Sequence, residues 1–379
     1  MYQKIIKLSN EKKVFSFIFN QMNNFTVLDI GEALNITFPT VKRVIDIFLE
    51  KNIIHKQEKV GNSVGRKSLT YSYNQNCFYS IGIKISYENI EIVLSNTKGV
   101  FLKKAILPFK IESEGLFNTI LSELNSFFHD IDPEIKKVIL GIGISIPGIV
   151  ISERQIIEIK EGVNIPIEAL DEIKNSFNLP VFIENESNLS SITEVFLNYF
   201  YKFKLLDVVT VNETIGMTTL YMEEGLNSFY FRAGKINHMV VAEKSGKKCS
   251  CGNIGCLGLY TGENVLIEDF RNHFPEINSY SDIFLKGYAK TDIGKEILSN
   301  HITYFAIGLK NLIVFSNPEK IIISGRISRY KEYVEKELLE KVYATGNFYR
   351  DKNIIVFSDY YEDSSLIGAA LFPIVDILF

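Results

Sequence analysis

Three cysteines fall within eight positions, Cys249-Ser250-Cys251-Gly252-Asn253-Ile254-Gly255-Cys256, and His238 precedes the first of them by eleven. Three thiolates and one imidazole make a complete tetrahedral set for zinc. A site closed by four protein ligands is structural, because no position is left for a catalytic water. Gly252 and Gly255 permit the tight backbone that turns three thiolates onto one ion. Three unligated thiols in a reducing compartment are the alternative. The fourth cysteine, Cys77, stands apart. A disulfide framework would spread the four more evenly and would suit secretion.

A second set of side chains suits nucleic acid: Thr37, Thr40, Lys42 and Arg43, followed by Arg66 and Lys67. The elements that would position them are legible. Residues 11–22 place Val14, Phe17 and Ile18 on one side of a helix. Thr26 can cap a second helix carrying Ile30, Ala33 and Leu34 on its apolar face. A third helix follows Thr37, with Pro39 in its first turn and Val41, Val44, Ile45, Phe48 and Leu49 at helical spacing to about Lys51. Thr40, Lys42 and Arg43 lie on its other face near the N-terminus. In a helix-turn-helix those positions of the second motif helix reach base edges and phosphates in the major groove. Two strand-like stretches, Ile53 to Gln57 and Leu69 to Tyr73, flank the turn-rich segment from Gly61 to Lys67, which reads as a wing. Arg66 and Lys67 on that wing suit a phosphate or a minor groove. The alternative is a three-helix cap with a hairpin that dimerises and reads no DNA.

Charge separates the two sets. Residues 1–72 hold 11 Lys and Arg against 6 Asp and Glu, and the remainder holds 30 against 39, so a net charge of −4 over 379 residues hides a basic front and an acidic body. At roughly 150 residues per domain the length predicts two or three folding units. A hydrophobic fraction of 46% with 23% charged residues excludes a chain dominated by disorder. The longest mostly apolar run, Val138 to Ile151, is broken by three glycines and Pro147 and is shorter than the ~18 to 20 residues of a bilayer helix. No apolar stretch of signal-peptide length opens the chain. The expectation is a cytoplasmic protein with no membrane partner.

His238 with Cys249-x-Cys251-Gly252-x-x-Gly255-Cys256 closely resembles the zinc motif of the ROK family of repressors, open reading frames and sugar kinases. Other segments agree in order and spacing. Gly141-Ile142-Gly143-Ile144-Ser145-Ile146-Pro147-Gly148 resembles the family's strand and Pro-Gly turn. Glu184-Asn185-Glu186-Ser187-Asn188 falls where the family reads Glu-Asn-Asp-Ala-Asn. Ile321-Ile322-Ile323-Ser324-Gly325 and Leu366-Ile367-Gly368-Ala369-Ala370 resemble its late strand-turn and closing helix, and Val64-Gly65-Arg66-Lys67 resembles the wing of its repressor branch. The resemblance implies an α/β fold: a winged helix-turn-helix followed by a two-lobed actin-like ATPase (ribonuclease H-like) body. Its expected divisions are 1–73 for the head, 74–204 with 366–379 for the first lobe, and 205–365 for the second lobe with the zinc motif. Strands at Tyr79 to Ser86, Asn89 to Asn96, Val100 to Leu107 and Lys137 to Ser145, with a helix at Leu116 to Phe128, are compatible with it. So is a second set starting at Asp207 to Val211 and Met217 to Met222.

The chain departs from the family where kinases hold ATP. The first phosphate turn, usually Asp-x-Gly-Gly-Thr-Lys, is matched by Lys84-Ile85-Ser86-Tyr87-Glu88-Asn89, without glycine and with an acid. The second, usually Gly-Thr-Gly-Ile-Gly, is matched by Asn212-Glu213-Thr214-Ile215-Gly216. No ATP is expected to bind. Glu186 matches the family's catalytic Asp but is one methylene longer, and phosphoryl transfer tolerates little misplacement. Lys235 and Gly258 stand where sugar-binding acids usually do, so sugar hydroxyls lose acceptors at roughly 1–3 kcal/mol each. Asn164, Asn185, Glu186, Lys235 and His238 are what is left to hold a sugar or phosphosugar, the alternative being a pocket that binds nothing. The expected protein is a transcriptional regulator, a homodimer or higher homo-oligomer on a double-stranded DNA operator, and not an enzyme. A sugar kinase with an appended DNA-binding head and an interaction protein without an operator are the rivals.

Overall fold

The computed structural model describes residues 2–21, 23–57, 69–87, 89–109, 115–151, 156–160, 163–199, 203–223, 228–244, 246–344 and 354–378. The chain divides into two compact units, Met1–Asn185 with Leu366–Phe379, and Glu186–Ser365.

The first unit opens with three helices, α1 (Tyr2–Phe19), α2 (Val27–Leu34) and α3 (Phe38–Glu50), and a hairpin of β1 (Ile54–Gln57) and β2 (Thr70–Tyr73). α1 starts at Tyr2 rather than Glu11, since no Gly or Pro interrupts the preceding residues. It buries Val14, Phe15, Ile18 and Phe19; Phe17, expected inside, is half-buried. The aromatic ring of Phe15 meets Phe48 and Tyr73 edge-on at 6.2 and 6.1 Å, which joins α1 to α3 and β2. Thr26 caps α2 as expected. Its Oγ1 accepts from the Asp29 backbone N–H (3.2 Å) and Asp29 Oδ2 accepts from the Thr26 N–H (2.7 Å), a closed capping box. α2 ends on Asn35 in the left-handed region, and Ala33 proves exposed. α3 buries Val41, Val44, Ile45 and Phe48. Antiparallel pairing of β1 with β2 gives the expected hairpin, while the segment joining them, including Arg66 and Lys67, lies outside the described residues.

The body repeats one sheet plan. β3 (Tyr79–Ile85), β4 (Asn89–Asn96) and β5 (Phe101–Pro108) form an antiparallel meander; after α4 (Leu116–His129) and α5 (Pro133–Lys136), β6 (Ile139–Ile146) returns parallel to β3. A small sheet of β7 (Ile149–Ile151), β8 (Ile156–Lys160) and β9 (Val163–Pro166) and the helix α6 (Asp171–Phe177) precede β10 (Val181–Asn185), which extends the main sheet to the order β10-β6-β3-β4-β5. In the second unit, after α7 (Glu186–Glu194), β11 (Leu205–Val211), β12 (Ile215–Glu223) and β13 (Ser228–Gly234) repeat the meander. The helices α8 (Glu263–Arg271), α9 (Tyr280–Leu285) and α10 (Asp292–Ser316) lead to β14 (Lys320–Ser324), and α11 (Glu335–Tyr343) to β15 (Ile355–Phe357), giving β13-β12-β11-β14-β15. The closing helix α12 is Ser364–Leu378. Each central strand is buried and rich in Ile and Val, as strands covered on both faces must be.

The Gly-rich strand read from sequence has a packing reason. A Cβ on Gly143 would stand 2.0 Å from the Ala369 carbonyl oxygen, and one on Gly82 would stand 2.8 Å from the Ala370 nitrogen, so α12 lies with its backbone against β3 and β6. Ala369 and Ala370 are the small residues that allow it. The units divide at 185/186 instead of the 204/205 read from sequence. The reason is α7, which packs on the second sheet: Thr218 Oγ1 donates to Asn188 Oδ1 at 2.7 Å, and a Cβ on Gly216 would stand 2.1 Å from Ser187 Oγ. The head groups with the first unit rather than standing alone. Tyr73 donates to Thr97 (2.7 Å), and the Lys98 ammonium sits 3.6 Å from the centre of the Phe19 ring and donates to the Phe19 carbonyl. Among the described residues no helix is long and apolar enough to cross a membrane.

α7 ends on a fully buried acid, Glu194, held by the Ser358 hydroxyl and by Asn198 Nδ2 at 3.2 Å. Burial is the main cause that pushes its carboxyl up to about 7. Because the folded value lies above the unfolded one, its contribution to stability is complete below the ordinary Glu range and is lost as pH rises through about 7. From an unfolded value near 4.3, the group should make the protein about 2–3 kcal/mol less stable at pH 8 than at pH 5. Urea unfolding of the parent and Glu194→Gln at both pH values checks this: the gap between the two proteins should widen in favour of the variant as pH rises. An equal gap at both values would show that Glu194 is ionised in the fold.

Candidate functional site

The cysteine loop converges. The ligand atoms of His238, Cys249, Cys251 and Cys256 all lie within 4.8 Å of one another. Cys249 Sγ is 3.5 Å from His238 Nδ1, and the sulfurs of Cys251 and Cys256 are 3.6 Å apart. Four ligands at zinc–sulfur and zinc–nitrogen bond lengths in a tetrahedron stand roughly 3.5–3.8 Å from one another, so the residues fit a four-coordinate metal. His238 ends a short 3-10 turn, Ile236–His238. The thiols sit on a loop pinned by Cys249 N–H to Asn253 O (2.9 Å) and Gly252 N–H to Cys249 O (3.0 Å). Gly255 is required there: its φ is 79°, and a Cβ would stand 2.1 Å from the Ala242 carbonyl oxygen. A backbone N–H of Cys251 draws Cys249 down to about 6, whereas burial and the neighbouring sulfurs push Cys256 up to about 12.

The turn matched above to the family's second phosphate turn joins β11 to β12, and its acid is paired within the fold. Arg326, just past β14, reaches Glu213 (Nη2 to Oε1, 3.3 Å) and the buried Glu263 at the start of α8 (Nε to Oε1, 3.1 Å). Asn212 ties the same turn to Glu186, donating from Nδ2 to Oε2 at 3.2 Å, and to α8, whose Glu263 N–H donates to Asn212 O at 2.9 Å. Gly325, at φ 94°, lets β14 turn there, where a Cβ would stand 2.3 Å from Val211 O. A guanidinium thus occupies the place of charge balance in a turn that already carries an acid. The first turn closes on itself: Ser86 Oγ donates to Asn89 Oδ1 at 2.7 Å and the Ser86 N–H to Asn89 O at 2.9 Å. Glu88 lies outside the described residues.

The expected sugar ligands fall in both units. Asn185 ends β10, where its Nδ2 donates to Gly148 O and its N–H donates to Glu184 Oε1 at 2.6 Å. Asn164 lies on β9, and its side chain is not among those described. Glu186 begins α7, and Lys235 is exposed beside the turn that carries His238. His238 points Nδ1 at Cys249 and has Nε2 3.3 Å from Asn237 Nδ2.

In the head, Thr37, Thr40, Lys42 and Arg43 crowd the first turns of α3. The Thr37 and Thr40 hydroxyls share a hydrogen bond of 3.0 Å, and Arg43 is exposed. Lys42 is paired with Asp46 one turn on, and that hydrogen bond holds the ammonium above its usual value.

The profile of the ROK family matches residues 80–374. The chain belongs to the ROK family. It is 25% identical over 356 residues to the xylose repressor of Bacillus subtilis, covering 92% of this chain and 91% of that one. Its fold is similar to the crystal structure of a ROK family transcriptional regulator, a homologue of the E. coli Mlc protein, with a TM-score of 0.77 at 20% identity over 97% and 96% of the two chains. A ROK family glucokinase from Streptomyces griseus, solved with glucose and AMPPNP, has a TM-score of 0.63 at 18% identity. That likeness covers 98% of the glucokinase but 77% of this chain. The ROK segment therefore accounts for the whole kinase, while the regulator likeness continues over the head.

Two features escaped the sequence reading. Asp46 is visible at i+4 from Lys42 once the helix is drawn. Arg326 carries no local signal, because its partners Glu213 and Glu263 are distant in sequence. Removing Arg326 leaves the 2%-exposed Glu263 side chain without its guanidinium, so Arg326→Ala should cost about 3 kcal/mol in urea unfolding, and adding Glu263→Gln should restore part of it. For the loop, metal analysis of the purified chain should find one equivalent of a tetrahedral metal, and Cys256→Ser should lose it together with several degrees of Tm. A metal-free parent of full stability would refute the four-ligand assignment.

Proposed function

We propose that the chain is a DNA-binding transcriptional repressor of sugar-related genes, built on a ROK body that has given up phosphoryl transfer. The observation that carries this reading is the continuous likeness to regulators across head and body, together with a phosphate turn whose charge is balanced by Arg326. Thr37, Thr40, Lys42 and Arg43 on α3 contact the major groove, and Arg66 and Lys67 contact phosphate or minor groove from the wing. Two copies of the chain place two α3 helices on half-sites about one helical turn apart or a multiple of it. The basic front segment carries the contact and the acidic remainder is repelled.

His238, Cys249, Cys251 and Cys256 hold Zn2+ as a structural ion; soft thiolates with one imidazole at tetrahedral spacing favour it. Asn164, Asn185, Glu186 and Lys235 contribute to a site for a sugar or phosphosugar effector, with Lys235 facing its anionic group. Such an effector changes DNA affinity only if it binds the two conformations unequally. With no transcription outside the compartment that holds DNA, the protein acts in the cytoplasm.

Selection from random duplexes should yield a two-fold related operator. Arg43→Ala should weaken binding to it and reduce the slope of log K against log salt by about one contact. A variant that binds like the parent at every salt concentration would remove α3 from the interface. In a coupled ADP assay at high protein concentration, with glucose, xylose and amino sugars as acceptors, turnover should stay at the no-enzyme rate. Sugar-dependent ADP release would instead assign the kinase function.

A further inference from the structure

The first residue of α3 is an aromatic left half exposed among the described residues. Phe38 follows the N-cap Thr37 and is 52% exposed, although it stands in a head that buries Phe15, Phe19, Phe25 and Phe48. Leu28 on α2 (53% exposed) and Leu69 just before β2 (40%) lie along the same groove, a cavity of about 420 Å³ that Lys42 also lines. Three large apolar side chains in one exposed groove are unusual on a small head, where single exposed hydrophobics are the ordinary case. The groove's place decides what fits it. Lys42 lines it, and Phe38 opens α3 at the end that a helix-turn-helix points at base edges. The Lys42 cation beside an apolar centre matches a duplex that offers phosphate at the rim and a methyl group in the groove. Thymine alone among the four bases carries such a methyl on its major-groove edge.

We propose that Phe38 is a specificity-determining residue that packs on the C5-methyl of a thymine in each operator half-site. This rests on the repressor reading above. The Lys42–Asp46 pair sharpens the recognition: with its ammonium engaged by Asp46, Lys42 is a weaker phosphate clamp, and discrimination shifts to the apolar contact. Asp46 also disfavours phosphate at the same face, which lowers binding to arbitrary sequence more than binding to a site whose methyl seats Phe38.

The test uses the full chain and the duplex that it selects. Each thymine of the selected operator is replaced in turn by deoxyuridine, which deletes the methyl and keeps the base pair. At one position per half-site the parent should lose about fourfold in affinity, the worth of one buried methyl-sized group. Phe38→Ala should bind the unmodified operator more weakly than the parent and be indifferent to deoxyuridine at that position. Phe38→Leu should keep part of the sensitivity. Because Phe38 is half exposed, both variants should keep the parent's Tm. Parent and Phe38→Ala responding equally at every thymine, or the parent tolerating deoxyuridine throughout, would overturn the proposal and leave the repressor reading intact. A parent that selects no duplex at all would overturn both.

Discussion

A carboxylate placed in a turn shaped for phosphate must find a cation or be expelled from the fold. Glu213 occupies such a turn between β11 and β12, and Glu263 is buried next to it at the start of α8. Arg326 meets both, at 3.3 and 3.1 Å, from the loop that leaves β14. Much of the second unit follows from this arrangement. The β14 exit needs Gly325 at positive φ to bring Arg326 round, Asn212 braces the turn against Glu186, and α8 is anchored by its own first N–H on Asn212 O. An external polyphosphate would have to displace a guanidinium already committed to two acids and then face those acids. In a low-dielectric site, breaking one member of such a set costs more than the set itself contributes. The turn is therefore braced by its own charges, with Arg326 as the shared partner of Glu213 and Glu263.

How much of this was legible in the sequence depended on the range of the interaction. The metal loop was readable residue by residue, because four donor side chains announce their chemistry and lie within nineteen positions of one another, from His238 to Cys256. The capping box at Thr26 and the buried face of α3 were equally local. Arg326 was not, since nothing near it in sequence marks it as the partner of Glu213. The unit boundary was missed for a related reason. Residues 186–194 look like the end of the first lobe because they continue from β10 without a break, and only the contacts of Ser187 and Asn188 with β12 assign them to the second unit. α1 reaches back to Tyr2 because Tyr2, Ile5 and Ile6 continue the helical spacing and no Gly or Pro interrupts it.

The head and the first unit are joined by an interaction of the opposite kind to the metal loop, a single charge in apolar surroundings. Lys98, at the turn between β4 and β5, is drawn down to about 8 by burial, with its ammonium over the Phe19 ring and its proton donated to the Phe19 carbonyl. Tyr73, at the end of β2, is likewise buried and donates to Thr97 on the same turn. Rotating the head away from this turn would strand a partly desolvated ammonium and a buried phenol at once, each of which is costly without a partner. The head is thus held to the first unit through the C-terminal end of α1 and the end of β2, the two segments nearest its fold-defining aromatic cluster. In the proposed reading of two heads on one operator, the spacing of the heads would follow the two first units, and that is where an effector would have to act.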